Sequence, residues 1–176
     1  MTEYVVLVDE NDNQLGLMEK QQAHIAGLLH RAFSVFVFNS EGETLLQKRA
    51  EGKYHSPGLW TNTCCSHPRE NETYIQAAQR RIQEEMGFSC ELEEKFHFIY
   101  KAKLDNDLYE HELDRVFTGI YNGEIQVNPE EVSDYKWISM ENLIEDMNSN
   151  PENYTIWFKI IFKEYLAKLQ YESYNQ

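Results

Sequence analysis

The chain has 176 residues and a formal charge of −14, from 16 basic and 30 acidic side chains. Its length suits one domain with a single sizeable core, and 41% hydrophobic with 13% aromatic residues excludes a disordered chain. The acidic field, with no large cluster of Lys and Arg, argues against nucleic acid as a partner. No apolar run approaches the roughly 20 residues of a membrane span. The opening MTEYVVLVDENDN has no basic region ahead of an apolar one, so a cytoplasmic protein is expected. An anionic small molecule would need a few placed cations, a metal ion, or both.

In chain order, Tyr4 to Val8 reads as a strand, Asp9 to Asn13 as its turn, and Gln14 to Met18 as the returning strand. Phe33 to Phe38 (FSVFVF) is β-branched and aromatic. The turn signal Asn39 to Gly42 and the strand Thr44 to Arg49 complete a hairpin. Asn71 to Met86 predicts a helix, capped by Asn71 or Thr73 and ended by Gly87, with Ile75, Ala78, Ile82 and Met86 as its apolar stripe. Longer strands follow at Phe96 to Ala102 and Tyr109 to Tyr121, around the turn Asp105 to Asp107. Tyr135 to Ile138 is a short strand. Ser139 caps a helix carrying Leu143, Ile144 and Met147, and Tyr154 to Leu169 reads as the last helix. The pattern predicts an α/β (α+β) domain, a mixed sheet covered by helices.

WTNTCCSHP, from Trp60 to Pro68, places Cys64 and Cys65 just before His67; Cys90 is the third cysteine. Adjacent cysteines are poorly placed to bridge, and a reducing cytosol disfavours disulfides. A metal site, a buried turn and a reactive thiol stay open. His24 and His30 flank a short apolar stretch; with His67 they could hold a divalent ion if the fold brought them together. His55, His97 and His111 read as ordinary hydrogen-bonded histidines. In a strand Glu110 and Glu112 project from one face, with Asp114 next along. Carboxylates that close repel unless a cation sits between them. On the helix, Glu84 points outward, while Glu85 is aimed inward and can pair with Arg81 one turn earlier.

These pieces resemble the Nudix superfamily, whose box reads G-x5-E-x7-R-E-U-x-E-E-x-G-U with U apolar. Glu72, Arg80, Ile82, Glu84, Glu85, Gly87 and Phe88 fit it, while Ser66 and Arg81 replace its first Gly and the Glu after its Arg. Losing that carboxylate removes part of the metal cluster used in diphosphate hydrolysis, which argues against a Nudix-type hydrolase, the alternative reading. The chain is also similar to the type I isopentenyl diphosphate isomerase branch. The matching residues are Met18 to Lys20 with His24, Leu29 to Phe33, Gln47 to Arg49, Pro57 to Asn62, Cys65 to Pro68, Tyr100, Glu110 to Glu112, and Trp157.

The resemblance implies a Nudix-like mixed sheet between helices, as one domain over residues 1–176 with its core at about 4–170. It implies interconversion of isopentenyl and dimethylallyl diphosphate in isoprenoid biosynthesis. Cys65 and Glu112 would be the acid–base pair, with Tyr100 assisting. His24, His30, His67, Glu110 and Glu112 would enclose one divalent metal, manganese or zinc, and Glu85 a magnesium ion arriving with the diphosphate. Lys20, Arg49, Lys53 and Arg81 would bind phosphate oxygens, and Trp60 and Trp157 would wall the alkene. A monomer or weak homodimer acting on a prenyl diphosphate is expected, with no nucleic acid or membrane involved.

Overall fold

A computed structural model describes residues 2–174. Its strands are β1 (Tyr4–Val8), β2 (Gln14–Glu19), β3 (His30–Phe38), β4 (Thr44–Arg49), β5 (Trp60–Thr61), β6 (Cys64–Ser66), β7 (Leu92–Lys103), β8 (Tyr109–Ile120) and β9 (Val132–Ile138). Its helices are α1 (Lys20–Ala26), α2 (Tyr74–Met86), α3 (Met140–Ser149) and α4 (Ile156–Tyr174).

The apolar run of β3 organises the sheet. Buried along nearly its whole length, it pairs in parallel with β8 from His30↔Glu112 to Phe38↔Ile120. It pairs antiparallel with β6 through Phe33↔Ser66, Ser34↔Cys65 and Val35↔Cys64. β7 extends the sheet beyond β8, and β9 beyond β4. Alternation sorts β3 into two faces. Phe33, Val35 and Val37 join Ala77, Ala78, Ile82 and Met86 of α2. Phe36 and Phe38 join Leu143 and Met147 of α3 and Phe158, Ile161 and Phe162 of α4. Each buried large side chain contributes about 1.5–3 kcal/mol, so both faces need their helical cover. The result is the expected mixed sheet between helical layers.

The predicted hairpins and long strands are present, most with slightly wider bounds. The turn after β1 forms because the Asp9 carboxylate accepts from the backbone N–H groups of Asn11 and Asn13. Helix α2 is capped by Thr73 in a capping box with Gln76, and Gly87 closes it at φ 74°. Ile75 departs from its expected place on the apolar stripe: it is 37% exposed, and Ala77 is buried instead. Ala78, Ile82 and Met86 of the expected stripe are buried, so the departure is confined to the first turn of α2. Helix α1 and the short strands β5 and β6 lack the length or periodicity that marks an element in sequence.

Candidate active site

Strands β3 and β4 meet at Phe38↔Thr44, and the segment from Trp60 to Ser66 lies between them farther along. Its polar residues join the two sides. Thr63 Oγ1 donates to the Leu45 carbonyl (2.7 Å) and accepts from the Val37 N–H (2.9 Å). Asn62 Nδ2 donates to the carbonyls of Val35 and Cys64 (3.0 and 3.1 Å). Thr61, Asn62 and Thr63 are buried, and these bonds meet the desolvation cost. The wedge thus fixes β6, whose alternation sends neighbouring thiols to opposite faces. Cys64 faces α2 and donates to Glu85 Oε2 (2.8 Å). Cys65 faces α4: its thiol donates to Asn62 Oδ1 (3.0 Å), and its sulfur accepts from Trp157 Nε1 (3.1 Å). Burial, then the charge of Asp114, push the Cys65 thiol up to about 12, so it is protonated at neutral pH.

On the same face of β3, the polar end of the sheet gathers the histidines and carboxylates. Two of the nitrogens have fixed roles. His24 Nδ1 lies 2.7 Å from the Lys20 carbonyl, and His30 Nδ1 lies 2.8 Å from that of Leu28. A carbonyl accepts only from N–H, so both Nε2 atoms carry lone pairs toward the cluster. Ligand atoms of His24, His30, His67 and Glu110 all lie within 4.8 Å of one another. Glu112 Oε2 is 3.1 Å from His67 Nε2 and 3.7 Å from His30 Nε2, and Tyr100 donates its hydroxyl to Glu112 Oε1. Burial holds His24, His30 and His67 below the ordinary histidine value, His30 at about 4. Burial lifts Glu110 to about 7, and burial together with the neighbouring Glu110 also raises Glu112 well above the ordinary carboxylate range.

This set fits a divalent cation. The buried His30 Nε2 is without a hydrogen-bond partner, an expensive state that a metal ion relieves. Neutral imidazoles and crowded carboxyls are the donor set such an ion takes.

The cavity beside Cys65 is lined by Lys20, Arg49, Lys53, Arg81, Glu85, Glu110, Glu112 and Trp157, among others. Glu85 is 4% exposed, and Arg81 Nη2 meets its Oε1 at 3.0 Å; the expected inward pair is present. Glu84 stays at the surface, between Arg80 and Arg81. Arg80 also binds Glu72 through Nε and Nη2 (2.7 and 2.9 Å), a structural use of these box residues. Arg49 stacks over Trp157, 5.1 Å from the ring centroid, and donates to the carbonyls of His55 and Ser56.

Trp60 does not line this cavity. It is half-buried under Lys136, whose Nζ lies 4.4 Å from the ring centroid, because β5 turns it away from the pocket that Cys65 enters. His55, read as an ordinary histidine, is buried with Nε2 3.6 Å from Glu110 Oε1 and its ring against Trp157. No sequence spacing marked it. Asp114 joins the cavity beside Ser34, whose Oγ donates to Oδ2 at 2.8 Å; its two-residue step from Glu112 was the available signal.

This fold and this sequence have counterparts among known proteins. A NUDIX domain match spans residues 28–158, so the architecture is that of the NUDIX class. A crystallised protein of Deinococcus radiodurans overlays with a TM-score of 0.75 at 17% identity, over 93% of this chain and 99% of that one. A MutT protein of Methanosarcina mazei gives 0.64 at 18% identity, over 80% and 94%. Sequence narrows the class. An isopentenyl-diphosphate Delta-isomerase of Serratia proteamaculans is 49% identical over 93% of this chain and 92% of its own. An isopentenyl-diphosphate Delta-isomerase 2 of Photorhabdus laumondii is 53% identical over 92% and 91%. The chain belongs to the isopentenyl-diphosphate Delta-isomerase family within the NUDIX proteins.

Proposed function

We infer that this chain interconverts isopentenyl and dimethylallyl diphosphate by moving a double bond one carbon. The observation that carries the site reading is a protonated thiol, Cys65, and a carboxyl, Glu112, lining one cavity beside Trp157 and a set of cations. Protonation of the terminal carbon of an alkene leaves a tertiary cation. Loss of a proton from the carbon nearer the diphosphate then restores a double bond in the new position. The reaction therefore needs one group that gives a proton and a second that takes one, and we assign these tasks to Cys65 and Glu112. Tyr100, hydrogen-bonded to Glu112, serves proton movement at that carboxyl. Water would capture the cation, so Trp157 and the covering helix must exclude it. A π-face near the cation is worth roughly 0.5–2 kcal/mol.

Manganese or zinc at His24, His30, His67, Glu110 and Glu112 is the proposed resident ion, because three imidazole nitrogens and carboxylate oxygens suit it. Such an ion supplies positive charge that sets the proton affinity of Glu112. Glu85 is the proposed holder of a magnesium ion accompanying the diphosphate, whose oxygens Lys20, Arg49, Lys53 and Arg81 would bind. The protein is proposed to work in the cytoplasm as a monomer or weak homodimer.

The test is incubation with isopentenyl diphosphate and magnesium in D₂O. Dimethylallyl diphosphate carrying deuterium on carbon, without phosphate release, is the expected product. Phosphate release would point to a hydrolase instead.

A further inference from the structure

The cations assigned to the diphosphate are already partnered. Lys20 Nζ meets Glu3 Oε2 at 2.9 Å through an exposed side chain. Lys53 and Arg81 instead share one carboxylate: Glu131 Oε2 pairs with Lys53 Nζ and lies 3.3 Å from Arg81 Nη2. Glu131 lines the same cavity as Cys65 and Glu85. Its backbone is fixed on two sides. Its carbonyl accepts from the Ala50 N–H (3.1 Å), and its N–H donates to the carbonyl of Asn128, whose own N–H donates to the backbone carbonyl of Glu85 (2.9 Å). The carboxylate is therefore mounted between the end of β4 and the end of α2, at the level of both cations. A surface carboxylate on a loose loop would have no such tether.

We propose that Glu131 is an internal counter-anion: it occupies the Lys53–Arg81 pair until the ligand's phosphate oxygens displace it, and so sets the affinity threshold of the diphosphate subsite. This rests on the reading that these cations hold the diphosphate. An inorganic phosphate offers Lys53 and Arg81 little more than the carboxylate already gives, so the exchange gains little. A diphosphate also reaches Lys20 and Arg49, and the extra charge-assisted bonds offset the displacement. Glu131 thus keeps small free anions out of a site that must admit a diphosphate ester.

The experiment is calorimetric titration of wild type and Glu131→Gln with inorganic phosphate and with inorganic pyrophosphate, each with and without magnesium. Neutralising the carboxylate should tighten both ligands, on the order of tenfold. In turnover the same variant should show a lower KM for isopentenyl diphosphate and stronger inhibition by phosphate. Glu84→Gln removes an equal charge from Arg81 outside the cavity and should leave both affinities as in wild type. Unchanged or weaker binding in Glu131→Gln overturns the proposal, as does equal tightening in Glu84→Gln. If Glu131→Gln does not fold, Glu131→Asp, one methylene shorter, should tighten binding in the same direction. Pyrophosphate binding needs no alkene, so these outcomes are read independently of the deuterium assay that tests the isomerase itself.

Discussion

Cys64 and Cys65 are chain neighbours with the same side chain, yet they occupy opposite faces of the sheet. Cys64 is 0% exposed and donates to a helix carboxylate beneath α2. Cys65 lies in a cavity against Trp157, beside the histidines and acids. One residue of offset in a strand sends one thiol to the packed α2 face and the other to the cavity. The α2 face is apolar packing closed by one buried carboxylate, whereas the α4 face ends in three buried acids, Glu110, Glu112 and Asp114. The second arrangement sets acids whose proton affinity is raised by burial among neutral imidazoles.

The contrast is broken most sharply by exchanging the thiols' fates. Cys65→Ala should lower the rate of dimethylallyl diphosphate formation by about 10²–10⁴-fold, the usual contribution of a positioned acid or base. Cys64→Ala should keep most turnover. Next in size is metal dependence. A chelator, or His30→Ala, should remove the proposed ion as measured by elemental analysis and lower the melting temperature, because an ion held by the folded cluster stabilises the folded state.

Core truncations separate the faces by a different readout. Phe158→Ala should cost about 3–5 kcal/mol in denaturant unfolding and Ile82→Ala about 2–5. Phe158→Ala should also reduce activity in the surviving folded protein, because α4 carries Trp157. A smaller effect concerns pH. Burial and the Asp114 charge raise Cys65 to about 12, whereas an unfolded thiol titrates near ~8.5. The folded chain keeps a proton that the unfolded chain gives up in that window. Stability should therefore fall as pH rises from about 8.5 toward 12, less so in Cys65→Ala. In the same range iodoacetamide should alkylate Cys65 more slowly than a free thiol. The smallest effect is the stability loss in Cys64→Ala, about 1–3 kcal/mol for one hydrogen bond to a charged group.

Much of this was legible because it depends on local period. The β3 run, the two long strands and the capped helix α2 carry alternation or turn residues that their neighbours do not override. The same-face placement of Glu110, Glu112 and Asp114 needs only a two-residue step. Ile75, Trp60 and His55 were not legible for a common reason: each depends on which part of another element covers it. Ile75 sits in the exposed first turn of α2, Trp60 under Lys136, and His55 where Arg49 draws a loop carbonyl inward.

By itself the sequence determined the strand and helix periods, the same-face placement of Glu110, Glu112 and Asp114, and the supply of imidazoles and acids. Only the tertiary structure decided which thiol meets the cavity, which histidine nitrogens carry free lone pairs, and which carboxylate sits on the cations. The reason is physical. Periodicity fixes a side chain's direction relative to its own backbone, while burial and charge pairing are fixed by elements distant along the chain, such as β3 against β8 and Ala50 against Glu131.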